Sequence, residues 1–356
     1  MPASVKVGVL NDMADLSDVG DGDAADDIAG WLEREVAAVR QAGRLAADVE
    51  FVHAYALGFP SGTAEAVEHA YRQLVDAGCV LIVGPALGDN ALVAAPIAEQ
   101  LRMPTINWAN AERARGRWMF HHQVGSHEDE AIVIARHLHG LGCRRIGVIH
   151  DASPAGTRQF KYLADEAQIL GMEIAAVESV SPMADDADAA VAKVLETAPD
   201  GFVHLGLGLA ATAVAAALAQ ASWHGPRMMN IAGLRGGYRE DFARSCDGWF
   251  YVDMHSDGNR TLQALLSGLG GAPRQTLAAA RGHDLGRLVA EGLARAPDLT
   301  REGLRTGLEH VKWLPAAQGH EGTLLGFGVH DRGALHGRYL VVRQWLNGKT
   351  REIAST

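Results

Sequence analysis

Three stretches of the chain carry residue types suited to holding a small molecule rather than transforming one. Gly84-Pro85-Ala86-Leu87-Gly88-Asp89-Asn90 follows an apolar run and opens a helix near Asn90. Its glycines let backbone approach a ligand, and the exposed N–H groups of a helix start attract an anion. Asp89 has two readings. It is a preferred capping residue, or it receives an amine or hydroxyl, because it would repel a carboxylate. Asn107-Trp108-Ala109-Asn110 follows the next apolar run. A Trp just past a strand end forms the apolar floor of a pocket or packs under its own loop. His127 stands in Gly125-Ser126-His127-Glu128-Asp129-Glu130. Three consecutive acids at a helix start point in different directions and suit the macrodipole better than a metal. His127 is thus left between a first-turn role and a ligand contact. Asp12, past the opening apolar run, is counted with the ligand-facing residues.

Catalytic constellations are missing from this inventory. The pairs His121-His122 and His137/His139 lack i,i+4 spacing, and neither HExxH nor GxSxG occurs. Gly206-Leu207-Gly208 is a fragment of a dinucleotide fingerprint without its third glycine. The expectation is a protein that is not an enzyme, with no cofactor and no metal.

The elements that must position these stretches alternate strand and helix. Strands are expected at Val5–Leu10, Val49–His53, Val80–Val83 and Pro104–Asn107, and again at Ile146–Ile149, Ile174–Val180, Phe202–Leu205, Met228–Ile231 and Trp249–Asp253. Helical spacing fills the gaps: Ile28, Trp31, Leu32, Val36 and Val39 behind Asp23, Asp26 and Asp27, then Ala64–Ala77, Ala91–Leu101, Gly156–Leu170, Asp186–Thr197 and Ala210–Ala221. Ser126 caps a helix running to about Leu138, and Thr300 caps Arg301–His310 after a helix at Leu285–Ala294. Gly322–Gly328 and Gly337–Trp345 read as a hairpin turning at Asp331-Arg332-Gly333. Repeated βα units imply an α/β fold of two doubly wound parallel sheets. With no low-complexity linker, the chain is expected to cross between two lobes three times, near His121–Val124, Val252–Ser256 and Gly328–Gly333. The lobes are then 1–121 plus 254–329, and 122–253 plus 330–356.

Composition fits. The 356 residues are 48% hydrophobic and 21% charged, enough for two cored lobes. A net charge of −11 with dispersed basic residues argues against nucleic acid as a partner. No run is long and apolar enough to insert into a membrane. Cys79, Cys143 and Cys246 read as buried free thiols. The N-terminus, Met1-Pro2-Ala3-Ser4, runs straight into a strand without a basic and apolar leader. That places the chain in the cytoplasm as written, or in the periplasm or cell envelope if a signal was removed.

Five motifs, in order and over nearly the whole chain, resemble the leucine/isoleucine/valine-binding type of periplasmic binding protein. They are Val5-Lys6-Val7-Gly8-Val9-Leu10, Leu81-Ile82-Val83-Gly84-Pro85, Ala95-Pro96-Ile97-Ala98 with Met103-Pro104-Thr105-Ile106, Leu141 through Asp151, and Gly319 through Phe327. The resemblance implies a type I periplasmic-binding fold with a three-crossover hinge, closing a cleft around one small organic ligand. It implies an ABC-type importer subunit whose partner is an ABC permease. The alternative is a cytoplasmic sensor of the amide-receptor type, serving a regulatory protein. It places Asn107–Asn110 and His127 in the cleft.

The family also puts aromatic or acidic clamps at the positions of Ala155, Leu207 and Ala232, and serine near Gly88 or Asp89; this chain has none of them. A buried ammonium without a carboxylate partner costs several kcal/mol, so leucine is disfavoured and a ring-containing ligand favoured. If the hinge reading holds, small-angle scattering shows a smaller radius of gyration at saturating ligand. An unchanged radius counts against closure.

Overall fold

The computed structural model describes residues 4–12, 28–237, 239–269 and 276–353. The chain divides into two compact units. Unit 1 is Met1–Val124 with His255–Tyr339, and unit 2 is Gly125–Met254 with Leu340–Thr356.

Along the chain run β1 (Ser4–Asn11), α1 (Ile28–Gln41), β2 (Asp48–Tyr55), α2 (Ala64–Asp76), β3 (Leu81–Val83), α3 (Gly88–Leu101), β4 (Thr105–Asn107) and β5 (Met119–His121). Unit 2 continues with α4 (His127–Gly140), β6 (Arg145–Asp151), α5 (Pro154–Ile169), β7 (Glu173–Val180), α6 (Asp188–Leu195), β8 (Gly201–Leu205), α7 (Ala211–Gln220), β9 (Arg227–Met229), α8 (Glu240–Ser245) and β10 (Phe250–Asp253). Unit 1 resumes with α9 (Arg260–Gly268), α10 (Thr276–Arg295), α11 (Arg301–Glu309), β11 (Leu314–Pro315), β12 (Leu324–Leu325) and β13 (Leu335–His336), and β14 (Val341–Leu346) and β15 (Lys349–Glu352) finish unit 2.

The unit 1 sheet is ordered β2-β1-β3-β4-β5, with every pairing parallel. The parallel part of the unit 2 sheet is ordered β7-β6-β8-β9-β10, extended antiparallel by β14 and β15. Both units thus repeat the 2-1-3-4-5 doubly wound order. That order places its binding crevice where neighbouring crossovers diverge, past the C-terminal ends of the first and third strands. In unit 1 those are β1 and β3; in unit 2 they are β6 and β8.

Apolar side chains on the strands and inner helix faces build the cores: Leu10, Tyr71, Leu74, Ile82 and Met103 in unit 1, and Ile149, Phe202, Val214, Trp249 and Tyr251 in unit 2. The three thiols are buried and free. Capping follows the expected chemistry. Ser126 Oγ accepts from Asp129 N at 2.9 Å, and Thr300 Oγ1 accepts from Gly303 N at 3.1 Å.

Several expectations change. Residues 330–339 belong to unit 1, not to the second lobe. Arg332 O accepts from His121 N at 2.8 Å, and Gln123 Oε1 accepts from Ala334 and Leu335 N, both at 2.9 Å. The strand expected over Gly337–Trp345 begins only at Val341, and Gly337, at φ +114°, stands outside it. Helix α10 begins nine residues before Leu285. Gly282 and Gly286 blur its pattern, yet they serve packing. A Cβ on Gly282 would fall 2.2 Å from Trp31 of α1. Helices α8 and α9 were not anticipated, and Asp23, Asp26 and Asp27 lie outside the described residues.

His204 on β8 is fully buried, and burial pushes its imidazole down to about 4. The unfolded chain therefore binds a proton there below pH 6.5 that the folded chain refuses, so stability is lost as pH falls from 6.5 toward 4. At about 1.4 kcal/mol per unit, His204→Phe narrows the stability gap between pH 8 and pH 5 by about 2 kcal/mol. Urea unfolding at the two pH values measures it, and an unchanged gap contradicts a buried neutral imidazole.

Candidate functional site

In unit 1, the start of α3 is organised by a residue far away in sequence. Asp12, at the end of β1, accepts from Ala86 N at 2.7 Å, Leu87 N at 3.1 Å and Asn90 Nδ2 at 2.8 Å. Leu87 occupies the N-cap position and makes no side-chain cap bond, so Asp89 lies inside the helix and is not its cap. The capping carboxylate comes from β1. Its charge meets the positive helix end, while burial raises its affinity for a proton against those three hydrogen bonds. Asn90 also accepts from Phe59 N at 2.9 Å. Asp12, Gly88 and Asn90 are buried together, and the Ala86 and Leu87 N–H groups are occupied by protein. Asp89 is half-buried.

The loop after β4 divides in the same way. Asn107 is buried, donating to Phe120 O at 2.9 Å, and Ala109 is buried with its carbonyl accepting from Val124 N at 3.0 Å. These two hold the loop. Trp108 and Asn110 are half-buried. The Arg281 guanidinium of α10 sits 4.6 Å from the Trp108 ring centroid, a cation–π pair. His122 is fully buried and is pushed down to about 3 by burial and then by the Arg281 charge, with the Gln318 side chain acting the other way. Arg281 was missed from sequence because it falls in the glycine-interrupted start of α10, where no helix was expected.

In unit 2, His127 is the buried first residue of α4, and burial and the Arg158 charge push it down to about 3. Glu130 one turn on accepts from Ser126 N at 2.6 Å and Ile231 N at 2.7 Å, tying α4 to the loop after β9. Among the acids at this helix start, Glu128 is exposed and Glu130 buried. No group of three or more His, Cys, Asp or Glu is arranged to hold a metal among the described residues. Ala155 is buried at the start of α5. Leu207 is half-buried, and the loop at Gly208 lies against Ala232; a Cβ on Gly208 would fall 2.6 Å from that of Ala232.

Asp151 ends β6 as Asp12 ends β1. It accepts from Leu207 N at 2.6 Å through Oδ2. A Cβ on Gly206 would fall 2.2 Å from its carboxyl carbon, so glycine is required for this approach. Burial pushes Asp151 up to about 7, against the Leu207 hydrogen bond and the Arg235 charge. Asn230, past β9, donates to Gly206 O at 2.8 Å and to Gln159 Oε1 at 3.1 Å. Sequence reading missed Asp151, Gln159 and Asn230 as a set, because they come from three separate elements with no shared spacing.

Two surface hollows lie elsewhere. One, of about 610 Å³, is bordered by Glu240, Arg244 and Asn347; the other, of about 560 Å³, by Arg115, Arg117, Arg305 and Arg332. Their rims hold ion pairs, Arg244 with Glu240 and Arg115 with Asp331, and neither contains a strand-end residue described above.

Two doubly wound units, each with polar groups gathered where its first and third strands end, define a ligand-binding protein of the two-lobed α/β class. Residues 4–329 match the model of the periplasmic binding protein family, and the chain belongs to that family. Membership of that family supports a solute-binding role. A type 1 periplasmic binding protein from Bordetella pertussis Tohama I is similar in structure, with a TM-score of 0.82 at 17% identity over 98% of this chain and 99% of that one. The leucine-binding protein LivK of Thermotoga maritima gives 0.79 at 16% over 98% of both chains. An ABC transporter substrate-binding protein from Desulfitobacterium hafniense, in complex with leucine, gives 0.76 at 17% over 98% and 100%. At these identities the likeness is one of fold. Comparison with curated proteins finds no match. No described helix is long and apolar enough to cross a membrane.

Proposed function

We propose that this chain is the solute-binding component of an ABC-type importer, and that it takes a ring-containing molecule with an anionic or carbonyl group rather than a simple branched-chain amino acid. The observation that carries this reading is the Arg281 guanidinium held on the Trp108 ring at the end of the unit 1 sheet. An indole offers apolar area to a flat ring, and a planar guanidinium offers paired N–H donors to a carboxylate or carbonyl oxygen. Neutral His122 adds no competing charge. The resemblance puts an acid of amino-acid binders at the position of Ala232, and with alanine there a leucine ammonium lacks a partner, which supports a different ligand. Within unit 1 the proposed ligand residues are Trp108, Asn110 and Arg281; within unit 2, taken by itself, they are His127 and Leu207. Asp12, Asn90 and Asn107 support them.

Thermal-shift measurements with benzoate, phenylacetate and cyclohexanecarboxylate, against leucine, isoleucine and valine, test the reading. The ring compounds raise the melting temperature and the amino acids do not. Tight leucine binding would overturn it.

A further inference from the structure

The two units offer an internal comparison. Asp12 and Asp151 occupy the same place in the same topology, at the C-terminal end of the first strand beside the loop that follows the third. Asp12 accepts three hydrogen bonds. Asp151 accepts one through Oδ2, from Leu207 N, and its Oδ1 is buried with no hydrogen-bond partner. Where Asn90 supplies the third donor in unit 1, unit 2 has no counterpart.

Two neighbours share this condition. Asn230 spends both described donor contacts on Gly206 O and Gln159 Oε1, and its own Oδ1 is without a partner. Gln159 accepts from Asn230 through Oε1, and its Nε2 is without a partner. All three side chains are at most 2% exposed. A buried polar atom without a partner is costly, and native folds satisfy nearly all of them. Three at one sheet end, linked through the Asn230 amide and Gly206, form a complementary set of two acceptors and one donor.

We propose that Asp151, Asn230 and Gln159 are the specificity-determining residues of unit 2, and that they read a neutral ligand head that both donates and accepts hydrogen bonds, a primary carboxamide or a hydroxyl. This rests on the solute-binding reading above and sharpens it. The two oxygens repel a carboxylate, and the Gln159 amide has nothing to give an ammonium. An ester lacks the proton both acceptors require. The elevated Asp151, at about 7, agrees with a site that holds little net charge. The family's clamp positions, Ala155, Leu207 and Ala232, are then not where this chain reads the polar end.

The test uses four probes sharing one benzoate ring and differing at the para position: carboxamide, carboxylate, methyl ester and aminomethyl. Isothermal titration of the full chain is expected to rank the carboxamide at least tenfold tighter than the other three. Gln159→Glu keeps the oxygen that accepts from Asn230 and removes only the donor. It is expected to fold as the parent does, weaken the carboxamide at least tenfold and strengthen the aminomethyl probe. Asp151→Asn gives a second variant, expected to weaken the carboxamide without strengthening the aminomethyl probe. If the probes bind with no preference for the carboxamide, or if both variants fold and leave the ranking unchanged, these residues are structural and the inference falls while the solute-binding reading stands. If no ring compound binds at all, both fall.

Discussion

Asp12→Ala is expected to destabilise the protein by about 3 kcal/mol, the largest effect of any single truncation argued here. The variant strips the acceptor from Ala86 N, Leu87 N and Asn90 Nδ2 together. Hydrogen bonds to a charged group contribute about 1.5–3 kcal/mol each, and the helix-end charge interaction adds to them. Part of the loss is returned, because a buried carboxylate is itself costly, as its raised proton affinity records. Asp151→Ala, with one such bond, is expected to cost about 1 kcal/mol. Urea denaturation of the two variants measures the difference. Equal losses would contradict the contrast between the two strand ends.

The second large effect falls on affinity. Trp108→Ala removes an indole face, on the order of 100 Å² of apolar area shared with a bound ring. At about 25 cal/mol per Å² that is about 2.5 kcal/mol, or roughly seventyfold in affinity. The free protein keeps its fold, because the loop is held by its backbone: Trp108 N donates to Pro85 O at 3.0 Å, and Asn107 and Ala109 carry the rest. Arg281→Gln is expected to weaken a carboxylate ligand at least tenfold and its methyl ester little, since only the charge-assisted pair is lost. Titration calorimetry on both variants reads these changes. An unchanged affinity in Trp108→Ala places the ring elsewhere.

Much of the scaffold was legible in the chain. Val5–Leu10, Ile146–Ile149 and Phe202–Leu205 are mainly apolar runs, interrupted by Lys6 in the first and His204 in the third, and parallel strands buried on both faces require such runs. Ser126 and Thr300 announced their helices because a capping hydroxyl is a local device. What stayed hidden depended on distant partners. Asp12 looked like a ligand group because its three donors lie more than seventy residues away. Arg281 was passed over because Gly282, needed for contact with Trp31, reads as a break in a helix. Residues 330–339 fall in unit 1 because they bond to His121 and Gln123, partners about two hundred residues away that no local pattern announces. Asp151, Gln159 and Asn230 meet only when three elements are stacked.

Whether this chain holds a small ring-bearing solute and not leucine is read by native mass spectrometry of the protein purified without added ligand and then offered an equimolar mixture of benzoate, phenylacetate, leucine, isoleucine and valine. One bound molecule per chain is expected, its mass that of a ring compound, and it is expected to be lost in Trp108→Ala. A chain that retains leucine from the mixture, or a wild type and Trp108→Ala that bind the same ring compound equally, would contradict that expectation.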